Sequence, residues 1–244
     1  MTKPERKAPA GTIAGPCLDT TWQTPPELLE PVRAYFGGVI PFDAATSPDN
    51  PTGADLWCSA EDDGLAVNWT APKALIGDRP WGVFVNPPYG RVLRDWLGKI
   101  ASEADRGTTI IALLPCARWE QEYFQDALTA GGGHAVCYIR KRVAFIRPST
   151  GDRVGGNPYS SMFVGWNVDP ARFSEHFSPV GAVFHQTTLA KCPRTVRRTP
   201  AGSRRADGTI TGRRAPGAIG RGRRTEAPDP NAPAPKFVSQ TAEE

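Results

Sequence analysis

The chain has 244 residues and a formal net charge of +4, from 29 Lys and Arg against 25 Asp and Glu. This length suits one domain with appendages or at most two small domains. Apolar runs such as 110–114 fall far short of the ~20 residues that cross a bilayer, and we expect neither a membrane span nor a signal peptide. Five scattered cysteines without a C-x-x-C pair, and three histidines without ligand spacing, favour a metal-free protein of the cytoplasm.

The positive charge is concentrated at the C-terminal end. Residues 191–244 hold 12 basic and 5 acidic residues, a net of +7, whereas residues 1–190 have a net of −3. The basic segment has one aromatic residue, Phe237, and cannot bury enough apolar surface to fold alone. We therefore predict a disordered lead at 1–17, a catalytic domain at 18–190 and a disordered, Arg-rich basic tail at 191–244.

Helical and strand patterns alternate between these ends. Thr24 is predicted as a helix N-cap, with Pro25 in the first turn and Glu27 as capping-box partner. The elements predicted after this helix are strands at 39–42 and 81–85, a helix at 93–104, a strand at 108–114, a helix at 119–130, a strand at 135–139, and an antiparallel pair at 143–146 and 162–166. The alternation predicts an α/β domain with a mostly parallel sheet and an antiparallel edge hairpin. Tryptophans such as Trp22 and Trp96 are assigned to its core.

The tetrapeptide Asn86-Pro87-Pro88-Tyr89 is the sharpest functional signal. It directly follows a predicted buried strand and precedes a predicted helix. In open α/β sheets ligands bind at the carboxyl ends of the strands, so this position predicts a ligand site. The alternative is a proline-rich turn in which Asn86 acts as a cap. The related run Asn157-Pro158-Tyr159 lies in a Gly-rich loop and is interpreted as a turn.

This tetrapeptide suits methylation of an amine on a planar ring. The N6 lone pair of adenine is delocalised into the ring, which makes the nitrogen a poor nucleophile. The Asn86 side-chain carbonyl and the Pro87 backbone carbonyl, held by proline's fixed φ, can accept from both N–H groups and stabilise the developing positive charge. The Tyr89 ring offers a surface on which an extruded base can stack.

The motif alone leaves the acceptor open. Cytosine N4, an RNA base amine and a protein glutamine amide are planar amines of the same kind. A nucleic-acid-binding protein with a decayed methyltransferase domain also remains possible, since no glycines follow Asp43.

Several short motifs, in order and spacing, resemble one known family. They are Asp19-Thr20-Thr21-Trp22-Gln23-Thr24-Pro25, Phe42-Asp43-Ala44-Ala45, Asp63-Gly64-Leu65 with Trp69, Asn86-Pro87-Pro88-Tyr89, Leu113-Leu114-Pro115 with Arg118-Trp119, Arg142-Val143-Ala144-Phe145, and Ser160-Ser161-Met162-Phe163. From about Asp19 to Trp166 the chain is similar to phage and prophage DNA N-6-adenine methyltransferases of the Dam type. The resemblance implies a Rossmann-like fold, S-adenosylmethionine as cofactor and adenine in double-stranded DNA as substrate.

The resemblance also implies roles for particular residues. Thr24-Pro25 would touch the methionine end of the cofactor. Asp43-Ala44-Ala45 occupies the place of the acidic residue and glycines that usually follow the first strand, so that close backbone approach to the cofactor would depend on alanine and serine. The alternative for Asp43 is a turn carboxylate. Asp63 would accept from the N6 amine of the cofactor adenine, and Leu65 would pack on its ring. The alternative is an acidic surface loop, Glu61-Asp62-Asp63.

Basic residues of the core form a candidate DNA surface. Arg118 follows the strand 108–114 and would bind a DNA phosphate or help close the pocket. Arg140, Lys141, Arg142 and Arg147 flank the predicted hairpin, where phosphate contact competes with the interpretation of a solvated charge run. The basic tail would tether the protein to DNA without reading sequence.

Overall fold

The computed structural model describes residues 22–117, 119–131, 134–155 and 159–185. The lead predicted at 1–17, the tail predicted at 191–244 and Arg118 lie outside these residues. Within them, every helix is too short or too polar to cross a membrane.

The described part contains helices and strands in alternation. The helices are α1 (Pro26–Tyr35), α2 (Leu93–Asp105), α3 (Glu122–Leu128) and α4 (Pro170–Phe177). The strands are β1 (Phe42–Asp43), β2 (Leu56–Trp57), β3 (Val83–Val85), β4 (Ile110–Pro115), β5 (His134–Ile139), β6 (Phe145–Ile146), β7 (Arg153–Val154), β8 (Ser161–Trp166) and β9 (Gly181–His185). A short 3₁₀ helix, Ala71–Leu75, lies between β2 and β3.

Seven strands form one mixed sheet in the order β2-β1-β3-β4-β8-β5-β9. The first four pair in parallel, β8 runs antiparallel to both β4 and β5, and β9 runs antiparallel to β5. Five strands therefore share one direction, which confirms the predicted α/β class with a mostly parallel sheet. From β1 the chain passes to β2 on one side and then to β3 on the other. Such a reversal of strand order opens a crevice at the carboxyl ends.

Both faces of the sheet are covered by helices. In β3, Val83 and Val85 pack with α2 and α3, whereas Phe84 between them packs with α1 and α4. The alternation follows from the two-residue period of a strand. Because both faces are buried, β4 is a continuous apolar run, which is why the sequence predicts it well.

The predicted antiparallel pairing of 143–146 with 162–166 is wrong. β6 pairs instead with β7 in a separate two-stranded sheet, and β8 lies between β4 and β5. The physical reason is that all six residues of β8 are buried. A buried strand needs hydrogen-bond partners on both edges, and an interior place in the sheet supplies them.

The predicted capping box of α1 is also wrong. The N-cap residue is Pro25, and α1 begins without a side-chain cap. The Thr24 hydroxyl accepts a hydrogen bond from the Asn86 side chain, and the Glu27 carboxylate pairs with Arg153. Both side chains bind partners that are distant in sequence, which a local pattern does not reveal.

Some elements were not predicted or were misplaced. The first strand, β1, begins at Phe42 rather than at residue 39 and is two residues long. Strand β2, which was not predicted, is also two residues long. Strands this short carry no periodic signal. α4 and β9 were missed, although α4 has a readable start: Asp169 caps it by accepting from Arg172 N at 2.7 Å, and Pro170 follows.

Candidate active site

The tetrapeptide leaves the carboxyl end of β3 next to the carboxyl end of β1. Parallel pairing of the two strands places Asp43 opposite Phe84, and Ala44 N continues the ladder by donating to Phe84 O at 3.0 Å. Asn86 and the turn that follows Asp43 therefore share one edge of the sheet.

A cavity of about 280 Å³ opens at this edge, and we call it the β1–β3 cavity. Its wall includes most of the residues that the sequence analysis assigned to the site: Thr24, Asp43, Ala44, Ala45, Asp63, Leu65, Asn86 and Pro88. Of the described residues assigned to the site, Pro25, Pro87 and Tyr89 are adjacent in sequence to the wall but do not line it. Segments far apart in sequence thus meet where the strand order reverses.

The Asn86 carboxamide has a defined orientation at the edge of this cavity. Its Nδ2 atom donates to Thr24 Oγ1 at 3.1 Å and lies 3.5 Å from the Trp22 carbonyl oxygen. A backbone carbonyl only accepts hydrogen bonds, so the nitrogen of the amide must face it. Asn86 Oδ1 therefore points away from Thr24.

Tyr89 lies beside the cavity with its ring half-buried. The ring meets Phe145 edge-to-face at a centroid distance of 6.3 Å, and the hydroxyl lies 3.5 Å from Leu113 O. Burial raises the pKa of the Tyr89 hydroxyl, so it stays protonated at neutral pH. Stacking of a base on this ring stays a prediction.

Asp43 acts as a turn carboxylate within the cavity wall. It is 1% exposed, Oδ1 accepts from Ala45 N at 3.0 Å, and Oδ2 accepts from Thr52 Oγ1 at 2.8 Å. Burial raises the pKa of the Asp43 carboxyl to about 6, against the opposing effect of these hydrogen bonds. The carboxylate thus holds the turn at 43–46 against the loop that carries Thr52.

Asp43→Asn is expected to remove a pH-dependent part of the stability. The folded-state pKa of Asp43 is about 6 and its ordinary value is 3.8, so folding takes up a proton between these values. This contribution to stability is fully present below about pH 4 and is lost as the pH rises through about 6. Urea unfolding of both proteins across this range measures it: the stability of wild type relative to the variant should fall over that window. A difference independent of pH would contradict the assignment.

The segment at 63–65 approaches Ala44 closely through a glycine. A Cβ atom on Gly64 would lie only 2.0 Å from the Ala44 carbonyl oxygen. The Trp69 indole N–H donates to the Gly64 carbonyl at 2.8 Å and fixes this peptide in place. Gly64 thus allows two segments of the cavity wall to touch at Ala44.

Asp63 and Leu65 flank this glycine and line the cavity. Asp63 adopts a φ of +50°, and its Oδ1 accepts from Leu65 N at 3.2 Å. Asp63 is exposed at the rim, whereas Leu65 is partly buried against the core.

The family model of DNA N-6-adenine-methyltransferase (Dam) matches residues 17–178, more than half of the chain. The chain belongs to this family. The match confirms the resemblance noted from residues 19–166, and the protein is a DNA adenine-N6 methyltransferase for which the family implies S-adenosylmethionine as methyl donor. A comparison with curated proteins finds no match to the chain.

The β1–β3 cavity of the methyltransferase fits such a donor. Its volume is close to the lower end of the ~300–1,000 Å³ typical of small-molecule sites. Ser47 Oγ lines it as a buried atom without a hydrogen-bond partner among the described residues, so a polar group is left for a ligand. Leu65 and Trp96 supply apolar wall. This mixture suits a molecule that carries an apolar-faced base and a charged amino-acid end.

The basic residues of the methyltransferase lie at different distances from the cavity. The Arg147 guanidinium carbon is 5.7 Å from the centre of the Trp22 ring, and Trp22 lines the cavity. Arg140, Lys141 and Arg142 are exposed after the carboxyl end of β5, the same edge of the sheet. The structure thus brings Arg147 to the site and leaves the other three on the surface nearby.

Two tryptophans of the methyltransferase were assigned to the core, yet both line the cavity. Trp22 is half-buried, and Trp96 is 7% exposed and also packs in the core. The position of Trp22 within the motif before Thr24 was the available signal. Among the described residues, His, Cys, Asp and Glu side chains form no cluster of three or more that could hold a metal ion.

Proposed function

We propose that S-adenosylmethionine binds in the β1–β3 cavity and that a flipped adenine enters beside Asn86, so that methyl transfer takes place between them. The observation that carries this proposal is the orientation of the Asn86 amide, whose nitrogen is bonded to Thr24 while its oxygen is turned away from Thr24. Asn86 also lines the cavity wall, which brings this acceptor next to the bound cofactor.

The chain's own residues activate and orient the amine. Asn86 Oδ1 and the Pro87 carbonyl accept hydrogen bonds from the two N6 hydrogens and stabilise the positive charge that develops on nitrogen. The cofactor, when bound, supplies a methyl group on a sulfonium with an excellent leaving group. Pro87 is buried and its φ is restricted, so its carbonyl is preorganised. Holding the amine in line with the methyl group does much of the remaining work.

Opposite walls of the cavity would hold different parts of the cofactor. By analogy with the family, we assign Asp63 and Leu65 to its adenine and the segment Thr24-Pro25 to its methionine end. Asp43 has both oxygens engaged by the chain itself. Its role is therefore to shape the turn at Ala44 and Ala45 against which the cofactor lies.

Product identification tests this function. The full chain is incubated with labelled S-adenosylmethionine and unmethylated duplex DNA, and the nucleosides are analysed by mass spectrometry. N6-methyladenine is the expected product. Label in N4-methylcytosine, in RNA or in protein glutamine would overturn the proposed acceptor, and cofactor binding without turnover on any substrate would favour a decayed enzyme.

Duplex DNA is the proposed partner, with phosphates bound at the carboxyl edge of the sheet. Arg147 is a described cation next to a cavity residue, since its guanidinium carbon is 5.7 Å from the centre of the Trp22 ring. Extrusion of the base from the duplex is required because N6 is buried in the stack. Tyr89 would then stack on the extruded base.

Deleting residues 191–244 is expected to weaken DNA binding and to flatten its salt dependence while methyl transfer persists. These residues carry a net charge of +7. A plot of the logarithm of the DNA-binding constant against the logarithm of the salt concentration should become less steep in the truncated chain. The slope should decrease by about 0.9 for each DNA phosphate contact that the deletion removes. Binding isotherms at several salt concentrations measure the slope, and turnover at saturating DNA serves as control. Equal slopes for the full and truncated chains would refute the tether.

The cytoplasm is the proposed compartment. Cys58, Cys116 and Cys137 are free thiols in the described residues. Unpaired cysteines are typical of a reducing compartment.

A further inference from the structure

The chemistry proposed for Asn86 depends on which way its side-chain amide is turned. A carboxamide can rotate by a half-turn and exchange its oxygen with its nitrogen. With the oxygen toward the adenine amine, acceptor meets donor. With the nitrogen there, two donors face each other, and the amine would be neither bound nor activated.

The contacts of Asn86 select one of these states. Nδ2 has two oxygen neighbours on the same side, Thr24 Oγ1 at 3.1 Å and the Trp22 carbonyl at 3.5 Å. The Trp22 carbonyl can only accept, so it selects the nitrogen over the oxygen of the amide. The contact with the Thr24 hydroxyl is shorter, whereas the carbonyl is at the limit of hydrogen-bond length, so Thr24 supplies the main bond that holds the amide in the selected state.

Thr24 is itself held firmly. The residue before it, Gln23, exchanges two backbone hydrogen bonds with Ile146, each of 3.0 Å. The residue after it, Pro25, accepts from the first turn of α1. Thr24 is only 6% exposed, and its branched Cβ restricts the side chain further. The hydroxyl is thus fixed in space by backbone on both sides.

We propose that Thr24 is a positioning residue for methyl transfer: its hydroxyl accepts from Asn86 Nδ2 and keeps Asn86 Oδ1 directed at the adenine amine. This rests on the proposed function, in which Asn86 is the acceptor. It assigns to Thr24 a task that differs from contact with the cofactor, and the two tasks give different kinetic results.

Thr24→Val preserves the shape of the side chain and removes the hydrogen-bond acceptor. We expect kcat to fall about tenfold or more, the scale of one missing hydrogen bond at a reacting group, while the Kd for S-adenosylmethionine changes by less than about threefold. Thr24→Ser, which keeps the hydroxyl, should restore most of kcat. Thr70→Val is the matched control, since Thr70 Oγ1 bonds an asparagine, Asn68, outside the cavity at 2.7 Å. A weaker Kd with unchanged kcat would overturn the proposal in favour of a cofactor contact.

The Asn86→Asp background separates orientation from general structural damage. A carboxylate has two equivalent acceptor oxygens, so a half-turn changes nothing. Thr24→Val should therefore reduce single-turnover methylation by less than about threefold in this background, compared with about tenfold in the Asn86 protein. Equal losses in both backgrounds would overturn the role of Thr24. If instead Asn86→Ala keeps full activity, the proposed function itself fails, whatever Thr24 does.

Discussion

Asn86→Ala is expected to lower kcat for DNA methylation by about 10³-fold, or about 4 kcal/mol of transition-state stabilisation. The substitution removes the side-chain oxygen proposed to bind the N6 amine and leaves the backbone carbonyl of Pro87 in place. Because Asn86 contributes only one part of the cavity wall, the Kd for S-adenosylmethionine should change by less than about threefold. Single-turnover methylation and equilibrium cofactor binding measure the two effects separately.

Asn68→Ala provides the matched control for this experiment. Asn68 is an exposed asparagine outside the cavity whose side chain accepts from Thr70. We expect its removal to leave kcat unchanged. More than about a tenth of wild-type activity in Asn86→Ala, with normal folding, would show that the amide oxygen is not the main acceptor.

The parts of the fold that could be predicted from sequence are those with long apolar runs or helical spacing. Ile110–Pro115 is buried along its whole length, and Leu93–Asp105 repeats apolar residues on one face. Strand β3 also ends directly at Asn86, where a polar side chain interrupts the apolar run. The location of the site at a carboxyl edge followed from this local pattern and the general behaviour of α/β sheets.

Pairing between distant segments could not be predicted in the same way. The apolar composition of 161–166 indicates a strand but does not say which strands lie beside it, and its place between β4 and β5 depends on the whole sheet. Thr24 and Glu27 match a capping box in sequence. In the structure, however, the Thr24 side chain hydrogen-bonds Asn86 and the Glu27 side chain hydrogen-bonds Arg153. Tertiary contacts thus override a local preference of about 1 kcal/mol.

The absence of glycines after Asp43 was the strongest sequence argument for a decayed enzyme. The structure shows a close approach at this turn, which is between two segments of the chain rather than between backbone and cofactor. Ala44 retains its Cβ atom, and Gly64 on the facing segment provides the space. The motif Asp63-Gly64-Leu65 carried this information, although only its flanking residues were given roles.

Gly64→Ala is therefore expected to abolish tight cofactor binding, with a rise in Kd of at least about 100-fold, or about 2.7 kcal/mol. The added Cβ would lie 2.0 Å from the Ala44 carbonyl oxygen, whereas real Cβ atoms keep at least 3.0 Å from such neighbours. The Cβ atom is fixed in position by its own backbone and its partner is a backbone oxygen, so a side-chain rotation cannot relieve the clash. The segment that carries Asp63 and Leu65 must move away from Ala44. This movement should break the hydrogen bond from the Trp69 indole N–H to the Gly64 carbonyl.

Gly98→Ala separates this effect from the general consequences of replacing glycine. Gly98 lies in α2, and a Cβ atom there meets nothing within 4 Å. That variant should bind the cofactor normally and be more stable by about 1 kcal/mol, because alanine favours the helix. Thermal unfolding and calorimetric titration with S-adenosylmethionine measure both quantities. A Gly64→Ala protein that binds as tightly as Gly98→Ala would mean that the wall formed by Ala44 and Gly64 is not where the cofactor lies.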